Sequence, residues 1–315
     1  MPVQTYGDVW RLVALHVPAA PTTLVQAWVQ IAYDTLLGKR HWNWLRREVV
    51  LTTLAQRSIA ITFTQNSTAI TSAALFVASD AGRQLRAGSD QPVYTIDTFT
   101  DASNAVLTQA YAGVSGAVAT TVHDRYLVMP ADFRSILDVT DMTIQRPIAW
   151  WIGRDRLDLF DPGRISSDTR FRVLVAYQLS QRVATLGQVM YEAWPSPTGA
   201  GSYLLRYFQR TDTLTDDTTL QGVIATYTDA LRVGALAEAA QWPGTATQKN
   251  PYFNLRLATE LKGQFLQAVQ TLGVMDDDQY LQDLMQIDLS KFGLAALSAD
   301  TTLMRQSDAT LADYY

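Results

Sequence analysis

The stretch "RSIAITFTQNSTAIT", residues 57–71, is the feature that most limits how this chain can fold. Small or polar residues alternate there with the apolar residues Ile59, Ile61 and Phe63. That period of two is typical of a half-buried strand, and Gln65-Asn66-Ser67 predicts a turn into a second strand. The residues that follow, to about 124, are short Thr- and Val-rich runs separated by Gly, Asp, Ser and Pro. Residues 57–124 are therefore predicted to form a small antiparallel β domain, a barrel or a sandwich.

The residues before this β segment have a helical pattern. Between Pro21 and Gly38, apolar or small residues recur at helical spacing, at Leu24, Ala27, Trp28, Ile31 and Thr35. This spacing predicts a helix over 22–36 that buries one stripe. A second, shorter helix is predicted from His41 to about Thr53.

The last third of the chain is also predicted to be helical. The stretch "LQGVIATYTDALRVGALAEAAQW", residues 220–242, is rich in Ala and Gly and has only three charges, so we expect a largely buried, closely packed helix. Asn250-Pro251 predicts the start of the next helix. The buried stripe of that helix is expected at Leu255, Ala258, Phe265, Val269 and Leu272. The acidic run 276–278 is expected at the start of a further helix, where the positive end of the helix dipole favours carboxylates.

The predicted fold class is α+β: a helical bundle core with an inserted small antiparallel β domain and an extended C-terminal arm. The N-terminal helices would occupy 1–56, the β domain 57–124 and the C-terminal helices 211–287. Between them, 125–210 is predicted to be mixed, with strands near 134–144, 171–177 and 203–210. Residues 288–315 depart from the helical pattern and form the arm.

Charge and composition exclude several classes of function. The net charge is −5, with 21 Arg and 4 Lys spread without a basic block, which argues against a dedicated nucleic-acid-binding surface. The chain has no cysteine, so disulfides, thiolate nucleophiles and Cys-type metal sites are impossible. The N-terminus lacks the pattern of a signal peptide and no apolar run approaches membrane-spanning length, so we expect a soluble protein without a membrane partner.

No motif in the chain predicts catalysis. The three histidines, His16, His41 and His123, have no metal-ligand spacing, and there is no nucleophile elbow, phosphate-binding loop or dinucleotide fingerprint. Three aspartates recur at intervals of three residues: Asp155, Asp158 and Asp161. This is not the ligand spacing of a calcium-binding loop. We interpret these carboxylates as caps or solvated groups, and expect no enzyme activity, cofactor or metal site.

The stretch "KRHWNWLRRE", residues 39–48, interleaves Trp42 and Trp44 with cations. Proteins that bind single-stranded nucleic acids use such a pattern to stack on bases and neutralise phosphates. Tryptophans near a helix end also fill an ordinary core. The pattern alone leaves both interpretations open.

The order of several segments resembles the head-to-tail adaptor (connector) proteins of tailed bacteriophages. After the Trp-rich helical opening and the β segment come "DRYLVMPADFRSILDV", "WPSPTGAGSYLLRYFQRTDTLTDD" and "ALRVGALAEAAQWPG…NPYFNLRLATELKGQFLQAV". The resemblance covers roughly residues 20–290. It implies a virion structural protein of the neck, synthesised in the bacterial host cytoplasm.

The resemblance also implies partners. Adaptor subunits form a homo-oligomeric ring, usually a dodecamer, beneath the portal protein, contact the next neck or tail protein below, and line the channel for double-stranded DNA without sequence-specific binding. In this interpretation Trp28, Trp42 and Trp44 are core or interface anchors. Residues 288–315 would be a portal-docking arm through its apolar residues, Phe292, Leu294, Leu297, Leu303, Met304, Leu311, Tyr314 and Tyr315.

Two alternatives stay open at the level of sequence. One is another ring of the neck or tail, such as a stopper, a tail terminator or a fibre-attachment ring. The other is a tail-associated carbohydrate-binding protein or hydrolase, in which Asp155, Asp158 or Asp161 would act as catalytic carboxylates.

Overall fold

The computed structural model describes residues 5–87, 92–210, 214–245 and 248–285. They form two compact units, one from the described residues 45–210 and the other from those on either side of that range. The strands are β1 (Arg46–Thr53), β2 (Arg57–Phe63), β3 (Ala69–Ser72), β4 (Gln84–Arg86), β5 (Val93–Asp101), β6 (Asn104–Leu107), β7 (Gly116–His123), β8 (Tyr126–Val128), β9 (Phe133–Asp141), β10 (Arg146–Pro147), β11 (Ser167–Asp168), β12 (Val173–Leu179), β13 (Val189–Trp194), β14 (Ser196–Pro197) and β15 (Gly201–Gln209). The helices are α1 (Tyr6–His16), α2 (Thr22–Gly38), α3 (Arg154–Phe160), α4 (Val223–Thr226), α5 (Asp229–Ala239) and α6 (Leu255–Met285).

We call the unit formed by the described residues 45–210 the β unit. Six of its strands close into a barrel in the order β2-β3-β6-β5-β4-β7. The alternation predicted for the first of them is confirmed: Ile59, Ile61 and Phe63 are buried in the barrel while their neighbours face outward. Asn66, with φ +59°, occupies the predicted turn. Phe63 stacks on Tyr111 at 4.5 Å between ring centroids, which fills the barrel interior with aromatic rings.

The rest of the β unit consists of two antiparallel sheets around one hydrophobic cluster. One sheet has the order β1-β15-β9-β10 and the other β12-β13-β8, with a short parallel pair β11-β14 beside them. Phe171 stacks on Tyr203 at 4.0 Å, and Phe133 packs edge-on against Tyr191 at 5.9 Å. The strands predicted near 134–144, 171–177 and 203–210 are therefore confirmed as β9, β12 and β15.

The chain connects the barrel to the sheets at one place, where it passes from β1 into β2 and from β7 into β8. Asp124 accepts a hydrogen bond from the backbone N–H of Leu54 and pairs with Arg83 Nε at 2.8 Å. Arg83 Nη2 also donates to the carbonyl of Ala55 at 2.9 Å. The two chain crossings are thus tied together by one buried arginine and one carboxylate.

The predicted fold class is wrong, because the described residues are mostly β and contain no helical bundle core. The segment 41–53, predicted to be a helix, is a single 3₁₀ turn (Asn43–Leu45) followed by β1. The β-branched residues of β1 favour a strand, and all eight residues of β1 pair with β15. This segment therefore belongs to the sheets and not to a helical core. The predicted arm, 288–315, lies outside the described residues.

The second unit, which we call the helical unit, contains the described residues 5–44 and 214–285. The predicted helix over 22–36 is present as α2, but its buried face differs from the predicted stripe. Ile31, Ala27 and Thr35 are exposed. The buried residues are Val25, Trp28, Val29, Ala32, Tyr33, Leu36 and Leu37.

The Ala- and Gly-rich stretch 220–242 is not one helix but two, α4 and α5. Close packing is nevertheless present at Gly234, where an added Cβ would lie 2.8 Å from the Ala32 Cβ and 2.9 Å from the Phe265 ring. Because glycine lacks a Cβ, α5 can approach both α2 and α6 closely.

Two further helix predictions are corrected by α6. It begins at Leu255, not at Asn250-Pro251, because the Asn250 amide donates to the carbonyls of Ala239 and Trp242 and holds a turn there. Of the expected stripe, Leu255 is exposed and the other four residues are buried. The acidic run 276–278 lies inside α6 and does not begin a new helix. None of the described helices combines the length and the hydropathy needed to cross a bilayer.

Candidate assembly surfaces and pockets

The predicted tryptophan anchors all lie in the helical unit. Trp28 is buried and packs against Trp242 with ring centroids 5.8 Å apart. Trp42 is fully buried, and its indole N–H donates to the carbonyl of Leu36 at 3.2 Å. Trp44 is half-buried and covers Gly222 so closely that an added Cβ there would lie 2.5 Å from the Trp44 Cγ.

Carboxylates of α6 hold the turn that carries these tryptophans. Asp276, which is buried, accepts a hydrogen bond from the backbone N–H of Asn43 at 2.7 Å. Burial is the main cause that raises the pKa of Asp276 above its ordinary value. Arg40 pairs with Asp277 and lies 5.2 Å from the centre of the Trp42 ring. Arg40, Trp42 and Trp44 of "KRHWNWLRRE" are therefore engaged with their own fold.

The three predicted aspartates lie in and directly after α3: Asp155 is exposed in the first turn of the helix, and the other two hold contacts within the fold. Asp158 pairs with Arg164. Asp161 accepts hydrogen bonds from the Trp194 indole at 3.0 Å and from the backbone N–H groups of Ile165 and Ser166. Burial raises the pKa of Asp161, but these donors lower it further than burial raises it, to about 2. A general acid needs a raised pKa, so Asp161 is unsuited to that role.

The histidines are not brought together. His16 lies beside Tyr252, at 6.1 Å between ring centroids, and His123 is buried in the barrel wall, its Nδ1 3.3 Å from the carbonyl of Gln84. Burial, followed by the cations Arg125, Arg83 and Arg86, lowers the pKa of His123 to about 4. Among the described residues, no group of three or more His, Asp or Glu side chains could hold a metal ion.

Sequence reasoning missed a buried ionic cluster in the β unit. Glu192 on β13 accepts from Arg125 Nε at 3.0 Å and Nη2 at 2.9 Å, and from Arg164 Nε at 2.9 Å. All three side chains are buried or nearly so. They connect the start of β8, the loop after α3 and the middle of β13. The three residues are far apart in sequence, so no local pattern could have predicted the cluster.

A small polar pocket lies in the β unit beside β5 and β12, with a cavity volume of about 200 Å³. Its lining is neutral except for one arginine: Val93, Thr95, Thr108, Gln109, Tyr126, Tyr177, Gln178, Ser180, Gln181, Arg182 and Met190. Tyr126 and Tyr177 stack at 4.3 Å. Amide and hydroxyl groups can both donate and accept, so this lining is suited to neutral, hydroxyl-rich ligands.

The residues predicted to dock on the portal, Phe292 to Tyr315, fall outside the described residues. Comparison with protein-family models and with curated proteins finds no match for this chain. No family is therefore assigned from those comparisons.

Proposed function

We propose that this protein is a virion structural protein, the head-to-tail adaptor ring between the portal and the tail of a tailed bacteriophage. The ring, expected to be a dodecamer, would link capsid to tail in the neck and line the channel through which double-stranded DNA leaves. Its function would be carried by shape and interfaces and not by catalysis. The support from sequence is the ordered series of adaptor-like segments between residues 20 and 290.

The structural observation that carries the proposal is the exposure of large apolar side chains on three helices of the helical unit. Leu15 on α1, Ile31 on α2, and Leu255 and Val274 on α6 are between 47% and 77% exposed. Helices that pack side by side in a ring need apolar outer faces as well as a buried inner one. These four positions are available for contacts with neighbouring subunits.

The acidic balance of the chain also suits a conduit. A net charge of −5 disfavours tight binding to phosphates, and a channel must let DNA pass. In the helical unit, the tryptophans of residues 39–44 are packed into the fold, which supports their proposed role as anchors over base stacking. The portal-docking role of 288–315 remains part of the proposal.

The proposal is tested by the native mass of the purified protein, alone and mixed with the portal protein of the same phage. We expect a ring of subunits bound to the portal. A stable ring that does not bind the portal would instead indicate another ring of the neck or tail, such as a stopper, a tail terminator or a fibre-attachment ring. A monomer under both conditions would contradict the assembly function.

The polar pocket favours a second candidate, a tail-associated carbohydrate-binding protein. Apart from Arg182, its polar lining consists of amide and hydroxyl groups, which can recognise the hydroxyl groups of sugars. The test is binding of host capsular or cell-wall polysaccharide, measured for the wild type and for Gln178→Ala. Loss of binding in the variant would support this candidate, and absence of binding in the wild type would remove it.

A further inference from the structure

Four large apolar side chains in one short segment of the β unit lie in solvent. Trp151 is 71% exposed, Leu159 84%, Phe160 80% and Ile165 79%. We call these four residues the α3 apolar face, because they lie on α3 or immediately beside it. Scattered single apolar residues are normal on a protein surface, but four within fifteen residues are not.

The same segment is anchored firmly on its inner side. Leu157 is buried against Val173 and Val175 of β12. Leu159 is two residues further along the helix, about 200° around its axis, so it points away from that contact. After the helix, the Asp161 carboxylate accepts from the backbone N–H of Ile165 at 2.9 Å, which fixes the loop that follows α3.

A second anchor is the buried cluster around Glu192, which holds Arg164 in the loop that follows α3. Arg164 Nη1 also donates to the carbonyls of Leu157 and Asp161. The backbone that carries the α3 apolar face is thus fixed before any partner arrives. A preorganised surface loses little conformational entropy when it binds, which favours association.

The exposed area is of the size that an interface needs. A large side chain buries about 150–250 Å² when it is covered, so the four at their observed exposure leave about 600 Å² in solvent. This sum is comparable with the area of the largest apolar patch on a typical monomer, about 300–600 Å². It is also most of the roughly 800 Å² that one partner contributes to a standard protein–protein interface.

The charges around the face indicate what kind of partner it fits. Arg154, Asp155, Arg156 and Asp158 alternate in sign along α3 and sum to zero. Nucleic acid and anionic membranes select cationic surfaces, so neither is favoured here. This neutral, apolar surface fits a protein partner. Rings of identical subunits are built from head-to-tail contacts, so in the proposed ring the protein that adjoins this face is a second copy of this chain, which meets it with a different surface.

We propose that the α3 apolar face is the surface through which the β unit of one copy contacts the next copy in the assembly. The inference rests on the proposed assembly function, and it names the surface that the function would use. Assembly covers the four side chains permanently, which removes an exposed patch that would otherwise promote aggregation.

The test is sedimentation velocity of the full chain over a range of concentrations, with and without the portal protein. The test variant is the double substitution Leu159→Asp and Phe160→Asp, which places carboxylates at the two positions of the face that lie on α3. The matched control is Val114→Asp, because Val114 is 82% exposed on the barrel, away from α3 in sequence. Far-UV circular dichroism checks that each variant is folded.

We expect the double variant to self-associate at least about a hundredfold more weakly than the wild type, while the control is unchanged. A milder variant, Trp151→Ser, should weaken association in the same direction and keeps the test valid if the double variant fails to fold. Assembly of both variants with wild-type affinity overturns the proposal.

The two proposals can fail separately. If the wild type self-associates through this face but never binds the portal, the adaptor function fails and the interface stands. If the variants form normal rings on the portal, the interface fails and the adaptor function stands. If they form normal rings but no longer bind the portal, the face belongs to the portal contact, and the second copy is the wrong occupant.

Discussion

Replacing Glu192 tests whether the buried ionic cluster holds the β unit together. Glu192→Gln keeps the size and shape of the side chain but removes its charge, which leaves Arg125 and Arg164 buried against a neutral amide. Removing one partner of a buried ion pair costs about 3–5 kcal/mol, because the remaining charge is desolvated without compensation. Arg164 keeps its contact with Asp158, so we expect a loss near the lower end, about 3 kcal/mol.

The assay is urea unfolding at constant pH and salt concentration, monitored with a fluorescence probe in the β unit. For a unit of this size, 1 kcal/mol corresponds to about 2–4 °C in melting temperature, so a thermal scan should show a fall of about 10 °C. The control is Arg172→Gln, which removes the exposed pair between Arg172 and Asp168. Exposed pairs contribute about 0–1 kcal/mol, so this variant should be nearly neutral.

The reasoning would be refuted if Glu192→Gln lost no more stability than the exposed control. A double variant, Glu192→Gln with Arg164→Gln, sharpens the test. Since it removes one of the two uncompensated charges, it should be less destabilised than the sum of its single variants. Simple additivity would mean that the two residues do not interact in the folded protein.

Three further predictions concern the barrel and the helical unit. In the folded protein the pKa of His123 is lowered to about 4. Between about pH 6.5 and pH 4, His123 is therefore protonated in the unfolded chain but neutral in the folded one. Stability should therefore fall by about 3 kcal/mol as the pH drops through that window, and His123→Gln should lose this component in urea titrations at several pH values. Gly222→Ala should lower the free energy of unfolding by at least about 2 kcal/mol, because φ is +60° there and Trp44 leaves no space for a Cβ. Gly263→Ala, in open space within α6, should raise the free energy of unfolding by about 0.5–1 kcal/mol. Equal melting temperatures of those two variants would contradict the packing argument. Trp42→Ala should lower the free energy of unfolding by about 3–5 kcal/mol because a fully buried ring is lost; unchanged stability with altered DNA binding would instead support base stacking.

Local signals were enough to predict several strands and helices. The alternation around Ile61 and the turn at Asn66 identify the first barrel hairpin, because both depend only on neighbouring residues. The face of α2 was less predictable. That helix has apolar residues at two possible stripes, and the choice of Val29 and Tyr33 over Ile31 is made by the helices packed against it.

Longer-range pairing explains what sequence reasoning got wrong. The segment 41–53 was predicted to be a short helix, yet most of it forms β1, whose partner strand β15 lies about 150 residues away. That pairing overrides the helix preference of residues such as Arg46 and Glu48. The run 276–278 was expected at a helix start, but Asp276 turns inward to the backbone N–H of Asn43. Neither contact could be predicted from the residues that neighbour it in the sequence.

The single crossing point between barrel and sheets has a consequence for how such a chain can change over time. Leu54 and Asp124 are hydrogen-bonded neighbours, so the chain segment between them, residues 55–123, begins and ends at one spot. A two- or three-residue linker could span that spot and leave the pairing of β1 with β15 intact. In terms of chain path the barrel is therefore an exchangeable cassette: recombination could substitute another module there and leave the pairing of β1 with β15 in place, although the contacts of Arg182 and Val183 with Asp97 would be lost.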